Sequence, residues 1–212
     1  MKKTIIILSL VLVLFCLELI AQESNDGEFD FIKSTNGVRI LYNVTGSNFY
    51  FDITCEYFKE IDANDMVFVF DDLLIQITPV PISAFSKNSK LAINDSMALV
   101  LHQISEMKNI RAQFKGKFNI DYLMWTDTTG RLCNSWKFDV PGASNDTTSE
   151  KIVSQMFAST RIGDRVLMLS CALTKKSDKD LVLKKVKGAF LSIYQQKQKI
   201  DPEELRKKMT GE

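Results

Sequence analysis

Gly163-Asp164-Arg165-Val166-Leu167-Met168-Leu169 is the stretch that decides the fold. Gly163 offers positive φ for a tight turn. Val166 to Leu169 is apolar at every position, and a strand apolar on both faces belongs in the middle of a sheet, covered on both sides. The spacing predicts a hairpin of Lys151 to Thr160 and Arg165 to Leu173, joined across Arg161-Ile162-Gly163-Asp164.

Upstream, Phe114 to Trp125 alternates. Phe114, Phe118, Ile120, Tyr122 and Met124 face one way; Lys115, Lys117, Asn119 and Asp121 face the other. Thr126 to Gly130 is turn chemistry, and Leu132 to Val140 returns with Leu132, Trp136, Phe138 and Val140 inward. Pro141 to Ser149 is a polar loop, so these strands form a four-stranded meander. Further back, Val38 to Thr45 and Asn48 to Tyr57 read as strands, with Phe49, Phe51 and Ile53 on one face. Met66 to Phe70 and Leu73 to Pro79 pair around Asp71-Asp72. Pro79 and Pro81 are expected to end that pairing, because proline cannot donate to a ladder.

Two long helices flank the meander. Residues 82–93 read as a loop, after which Asn94 or Asp95 caps a helix that stops near Asn109. Its apolar stripe is Met97, Leu101, Ile104 and Lys108, with Val100 and Met107 beside it. Ser177 with Asp180 resembles a capping box opening the second helix. There Val182, Val186, Ala189, Phe190 and Ile193 are buried, and Lys184, Lys185 and Lys187 surround them. Asp201-Pro202-Glu203-Glu204 starts a short final helix or tail. The fold class is α+β: a mainly antiparallel sheet flanked by helices, and an α-β-α sandwich if the helices take opposite faces.

The first residues read as an address. Lys2-Lys3, the apolar run from Thr4, and Ala21 before Gln22 make a secretory signal peptide cleaved after Ala21. A retained anchor would hold Glu18 in hydrocarbon, and Phe15 before Cys16 is too bulky for a lipid-attachment site. The chain is thus expected to be secreted or periplasmic. The organisation is a signal peptide over 1–21, a flexible lead-in over 22–36, one domain over 37–199, and a tail or short helix over 200–212. Without Lys2, Lys3 and Glu18, the 27 basic and 26 acidic residues become 25 and 25. A neutral chain gives no support to nucleic-acid binding. The charge is uneven: residues 174–212 hold 11 basic and 6 acidic side chains. Such a face is either a solvated helix surface or one that meets an acidic partner or anionic envelope.

The element order and the Gly163-Asp164 hairpin leading to a terminal helix resemble the PsbP-like superfamily, over about residues 36–196. That superfamily includes the extrinsic photosystem II subunit, a nuclear Ran-binding protein and many secreted bacterial proteins. The resemblance implies a PsbP-like α-β-α build and a non-catalytic binding or accessory role, and it carries over no site.

Motifs for chemistry are sparse. His102 is the only histidine and reads as a half-exposed helix residue. With one His and dispersed Cys there is no zinc signature, and the glycines form no phosphate loop, so no metal or cofactor is expected. Asp62, Asn64, Asp65 and the Asp71-Asp72 pair are read as turns rather than calcium ligands. Cys55, Cys133 and Cys171 read as buried thiols; a Cys133–Cys171 bridge would need Cα atoms within about 7 Å. Asn43-Val44-Thr45, Asn94-Asp95-Ser96 and Asn145-Asp146-Thr147 match the N-glycosylation acceptor pattern.

The candidate partner surface is Tyr122, Trp125 and Trp136, with Lys184, Lys185 and Lys187 as the basic helix face. Three functions remain open: a secreted non-catalytic binding or accessory protein, an extracytoplasmic hydrolase using paired carboxylates, and an envelope-associated protein held by its basic helix. The partner is a protein or a small molecule, and the oligomeric state is open.

Overall fold

The computed structural model describes residues 27–63, 65–86, 93–114, 119–141, 143 and 151–210. The signal-peptide reading, Asn64, the alternation at Lys115, Lys117 and Phe118, and the Asn145 acceptor pattern lie outside them.

The hairpin forms as the sequence dictates. Strands β9 (Ile152–Ile162) and β10 (Arg165–Thr174) pair with Ile162 opposite Arg165, and Gly163 bridges them at φ +60°. A Cβ on Gly163 would lie 2.7 Å from the Ser47 hydroxyl, so both backbone and space demand glycine. Strand β10 is central in a seven-stranded antiparallel sheet. The order is β4 (Phe58–Asp62), β5 (Val67–Phe70), β6 (Leu73–Pro81), β10, β9, β8 (Leu132–Asp139), β7 (Ile120–Thr126). The order of the meander β7 to β10 is as expected, but its first strand begins at Ile120 and not at Phe114, whose N–H donates to Ile110 O and closes the preceding helix.

The prolines do not end the pairing. Pro79 and Pro81 stand opposite Leu167 and Arg165 inside β6. Ile77 donates its N–H to Met66 O, away from β10. Alternation turns positions 79 and 81 the same way, past the end of β5, where no ladder bond is lost.

A second sheet, of four strands, corrects the single-sheet expectation. Its order is β1 (Glu28–Ser34), β2 (Gly37–Asn43), β3 (Asn48–Thr54) and β11 (Tyr194–Gln196). The expected lead-in therefore contains a strand. Its acidic residues masked Phe29 and Phe31, whose rings pack on Tyr42 and Phe58. Strand β4 and the short β11 also went unread. The main core lies between the sheets, with Ile40, Tyr42, Phe49, Phe51 and Ile53 facing Ile75, Ile77, Leu167 and Leu169.

The helices are α1 (Ile82–Phe85), α2 (Asp95–Gln113), α3 (Lys179–Leu191) and α4 (Pro202–Thr210). Helix α3 joins the main core through Val182, Val186, Ala189 and Phe190, the stripe read from sequence. Its cap is Asp178, which accepts from the backbone of Asp180 and Leu181, and not Ser177. The Ser177 hydroxyl instead accepts from the Thr174 N–H. Helix α2 covers the opposite face of the seven-stranded sheet, over β8, β9 and β10. The α-β-α layering of the large sheet therefore stands, with the small sheet beside α3. Helix α4 packs Leu205 and Met209 over Ile32 and Leu41 on the outside of the small sheet.

Helix α2 departs most from its reading. Asn94 caps it as expected, accepting from Met97 N, but it runs four residues past Asn109 to Gln113. Its buried face is Ala98, Leu99, His102, Glu106 and Ile110. Met97, Val100 and Ile104 point to solvent. Tyr122 also faces out, at 73% exposure, because β7 lies beyond the strands that α2 covers.

Candidate functional site

The expected surface residues separate into three settings. Trp136 is buried under α2, its ring parallel to Phe157 at 4.0 Å. It belongs to an apolar cluster with Phe138, Met168 and Ile110, and so is not a surface group. Trp125 is half-buried against Phe190, with rings 6.4 Å apart, and Lys187 Nζ lies 5.0 Å from its centroid. Only Tyr122 presents its ring to solvent.

The three lysines separate as well. Lys185 pairs with Asp71 and donates to Thr54 O at 2.9 Å, tying α3 to the β5–β6 turn. Burial alone would raise the Asp71 carboxyl; hydrogen bonds from Lys185 and from the backbone of Tyr57 and Glu56 outweigh it and hold it below the usual range. Asp71 takes φ +60°, which explains the Asp71-Asp72 turn without a cation. Lys187 is occupied by Trp125, and Lys184 is exposed. The helix thus does not present three free lysines on one face.

What does assemble here is a groove of about 270 Å³ between α3 and the β7–β8 hairpin. Leu123, Met156 and Leu183 give it an apolar lining, with Asp121, Lys137 and Lys179 among its polar groups. Lys137 binds Asp121 at 2.7 Å and holds that carboxyl below its usual range. The groove is fixed at its other end. Arg131, in the turn after β7, donates to Phe190 O and to Ile193 O, closing the carbonyl end of α3. Asp127 lies 3.5 Å from the same guanidinium.

A second constellation lies beneath α2. His102 is fully buried, which overturns the half-exposed reading. Its Nε2 lies 3.9 Å from Glu106 Oε1, and the Phe85 ring meets its edge at 5.3 Å. Below it runs one row of the sheet, Asn134, Ser159, Met168 and Thr78 in register. Neither His102 nitrogen, nor Glu106 Oε2, nor the Ser159 hydroxyl has a hydrogen-bond partner among the described residues. Burial lowers the His102 pKa to about 4 and raises that of Glu106 to about 7. Near neutrality the imidazole is uncharged and the carboxyl close to half protonated. Sequence reasoning weighed His102 alone. The signal for the pair was the His-x-x-x-Glu spacing on a helix, which sets both on one face.

The remaining candidates are structural. Cys55, Cys133 and Cys171 are free and buried. Burial pushes Cys133 up to about 11 and Cys171 up to about 12. The latter two sit on β8 and β10 with β9 between them, and Cys133 lines up across β9 with Leu167, four residues along the strand from Cys171, so they are too far apart for a bridge. The Asn43 amide is buried and bonded both ways to the Ile200 backbone, which closes that glycosylation pattern. Among the described residues, no three His, Cys, Asp or Glu side chains are placed to hold a metal ion. No helix among them is long and apolar enough to cross a membrane.

No protein-family model matches the chain. No curated protein matches it in sequence either. The fold is similar to the solution structure of cyanobacterial PsbP from Synechocystis sp. PCC 6803, at a TM-score of 0.41 and 10% identity, over 81% of this chain and 94% of that one. The mixed α+β, mostly antiparallel architecture rests on the strand order of this chain itself.

Proposed function

We propose that this chain is a secreted, non-catalytic binding or accessory protein that meets its partner in the groove between α3 and the β7–β8 hairpin. The observation that carries the reading is the groove itself: an apolar lining open to solvent, with Leu123 exposed on the groove face of β7. The groups that usually perform acid–base or nucleophilic work support it by their placement. The single histidine is sealed under α2, and the three described thiols are buried and hard to ionise. A hydrolase would need a general acid with a raised pKa, whereas Lys137 lowers that of Asp121, a carboxylate of this groove. Export rests on Lys2-Lys3, the apolar run and Ala21.

A photo-crosslinking residue in place of Lys179, exposed on the α3 wall of the groove, tests the site in the source cells. The expected result is a discrete covalent adduct that disappears when Leu183→Glu fills the groove with charge. An adduct indifferent to Leu183→Glu overturns the groove as the site. Amino-terminal sequencing of the exported protein should begin at Gln22, and an intact Met1 would remove the export reading.

A further inference from the structure

The two sheets end in four edge strands, and three of them are guarded. Strand β4 carries Lys59, Glu60 and Asp62 and breaks register between Glu60 and Asp62. Strand β1 carries Asp30, whose carboxylate takes the Phe31 N–H at 2.7 Å, and α4 packs along it. Strand β11 has only three residues. Charge, bulges, cover and shortness are the usual devices against edge pairing. Strand β7, Ile120–Thr126, has none of them among the described residues: it is seven residues long, in unbroken register with β8, with no proline. Its one charge, Asp121, is held by Lys137, and Tyr122 and Leu123 are exposed.

The open backbone groups on this edge can be assigned. Asp127 donates its N–H to Arg131 O at the turn, and Leu123 O accepts from the Ser135 hydroxyl. Odd-numbered positions therefore face β8, and alternation leaves the N–H and C=O of Ile120, Tyr122, Met124 and Thr126 pointing outward.

We propose that β7 pairs edge to edge with β7 of a second copy of this chain, antiparallel about a two-fold axis at Leu123. That register sets Tyr122 opposite the second copy's Met124, and Ile120 opposite its Thr126. Every outward backbone group then faces an outward backbone group. The side chains match too. Asp121 falls beside the second copy's Trp125, the ring over which Lys187 sits, so opposite charges meet twice by symmetry. Tyr122 meets a methionine sulfur, a favourable aromatic contact. Leu123 meets itself on the axis. The inference does not rest on the groove reading, since association is measured on the purified protein with no other partner present.

Sedimentation of the purified protein should show a concentration-dependent dimer. Met124→Pro removes an outward N–H and leaves the β8 ladder intact; it should weaken the dimer roughly tenfold or more with an unchanged circular dichroism spectrum. A second test does not depend on that variant folding. Leu123→Cys places two thiols across the axis in a non-hydrogen-bonded pair, within disulfide reach, and should give a covalent dimer under mild oxidation. Tyr122→Cys, offset from its own copy, should stay largely uncrosslinked. A wild-type monomer up to about 100 μM, full dimerisation of folded Met124→Pro, or equal crosslinking of both cysteine variants each overturns the proposal.

Discussion

Helices α2 and α3 lie on opposite faces of the same sheet and are held there by opposite means. Helix α3 buries Val182, Val186, Ala189 and Phe190 in the main core. Helix α2 has apolar ends, Ala98 and Leu99 near Val166 and Ile110 near Phe157, with His102 and Glu106 between them over a polar row of the sheet. Burial of apolar area stabilises the first; in the second, desolvation of an imidazole and a carboxyl opposes it. The two faces of one sheet can thus do different work, the inner one holding the layers together and the outer one coupling a helix to protons.

The largest expected effect that separates them is on α3. Phe190→Ala should cost about 3–5 kcal/mol by urea denaturation, because it opens a cavity in the main core. Ile104→Ala on α2, at 58% exposure, should change stability by less than about 0.5 kcal/mol. A loss of several kcal/mol at Ile104 would break the assignment of the α2 face.

The second effect is in pH. His102 is depressed in the fold, from 6.5 to about 4, so its contribution is present above pH 6.5 and lost as pH falls toward 4. Glu106 is raised, from 4.5 to about 7, so its contribution is present below pH 4.5 and lost as pH rises toward 7. Between roughly pH 4.5 and 6.5 folded and unfolded chains bind the same number of protons at this pair, and the two slopes cancel. Glu106→Gln should unmask a stability that climbs with pH over that window, by on the order of 2–3 kcal/mol. His102→Leu should unmask one that declines by a similar amount. Denaturation across pH would contradict the pairing if either variant stayed flat.

Smaller still, Lys185→Ala should cost about 1 kcal/mol, since its partner Asp71 is partly exposed and water screens the pair. Lys184→Ala, at an exposed position, should leave stability unchanged within about 0.5 kcal/mol. Equal losses at the two lysines would show that the basic flank of α3 acts as a unit.

The same contrast explains what could be read from sequence. The α3 stripe was legible because its apolar spacing coincides with its buried face. On α2 the apolar residues Met97, Val100 and Ile104 lie on the wet side, so hydrophobic period selected the wrong face. The central hairpin announced itself through Gly163 and the unbroken apolar run after it. Strand β1 did not, because Glu28, Asp30 and Lys33 dilute its aromatic signal. The groove had no local signature. It joins residues near 121 to residues near 180, and only the fold brings Leu123 beside Leu183. Lys185 looked free for a similar reason: its partner is 114 positions away.

Arg131 has a wider consequence. By gripping Phe190 O and Ile193 O from the turn after β7, it links the two walls of the trough into one frame. A visitor arriving there finds the spacing already set, with little chain to order on arrival, so more of each contact appears as affinity. Loosening that one guanidinium should show first as faster departure of whatever is held.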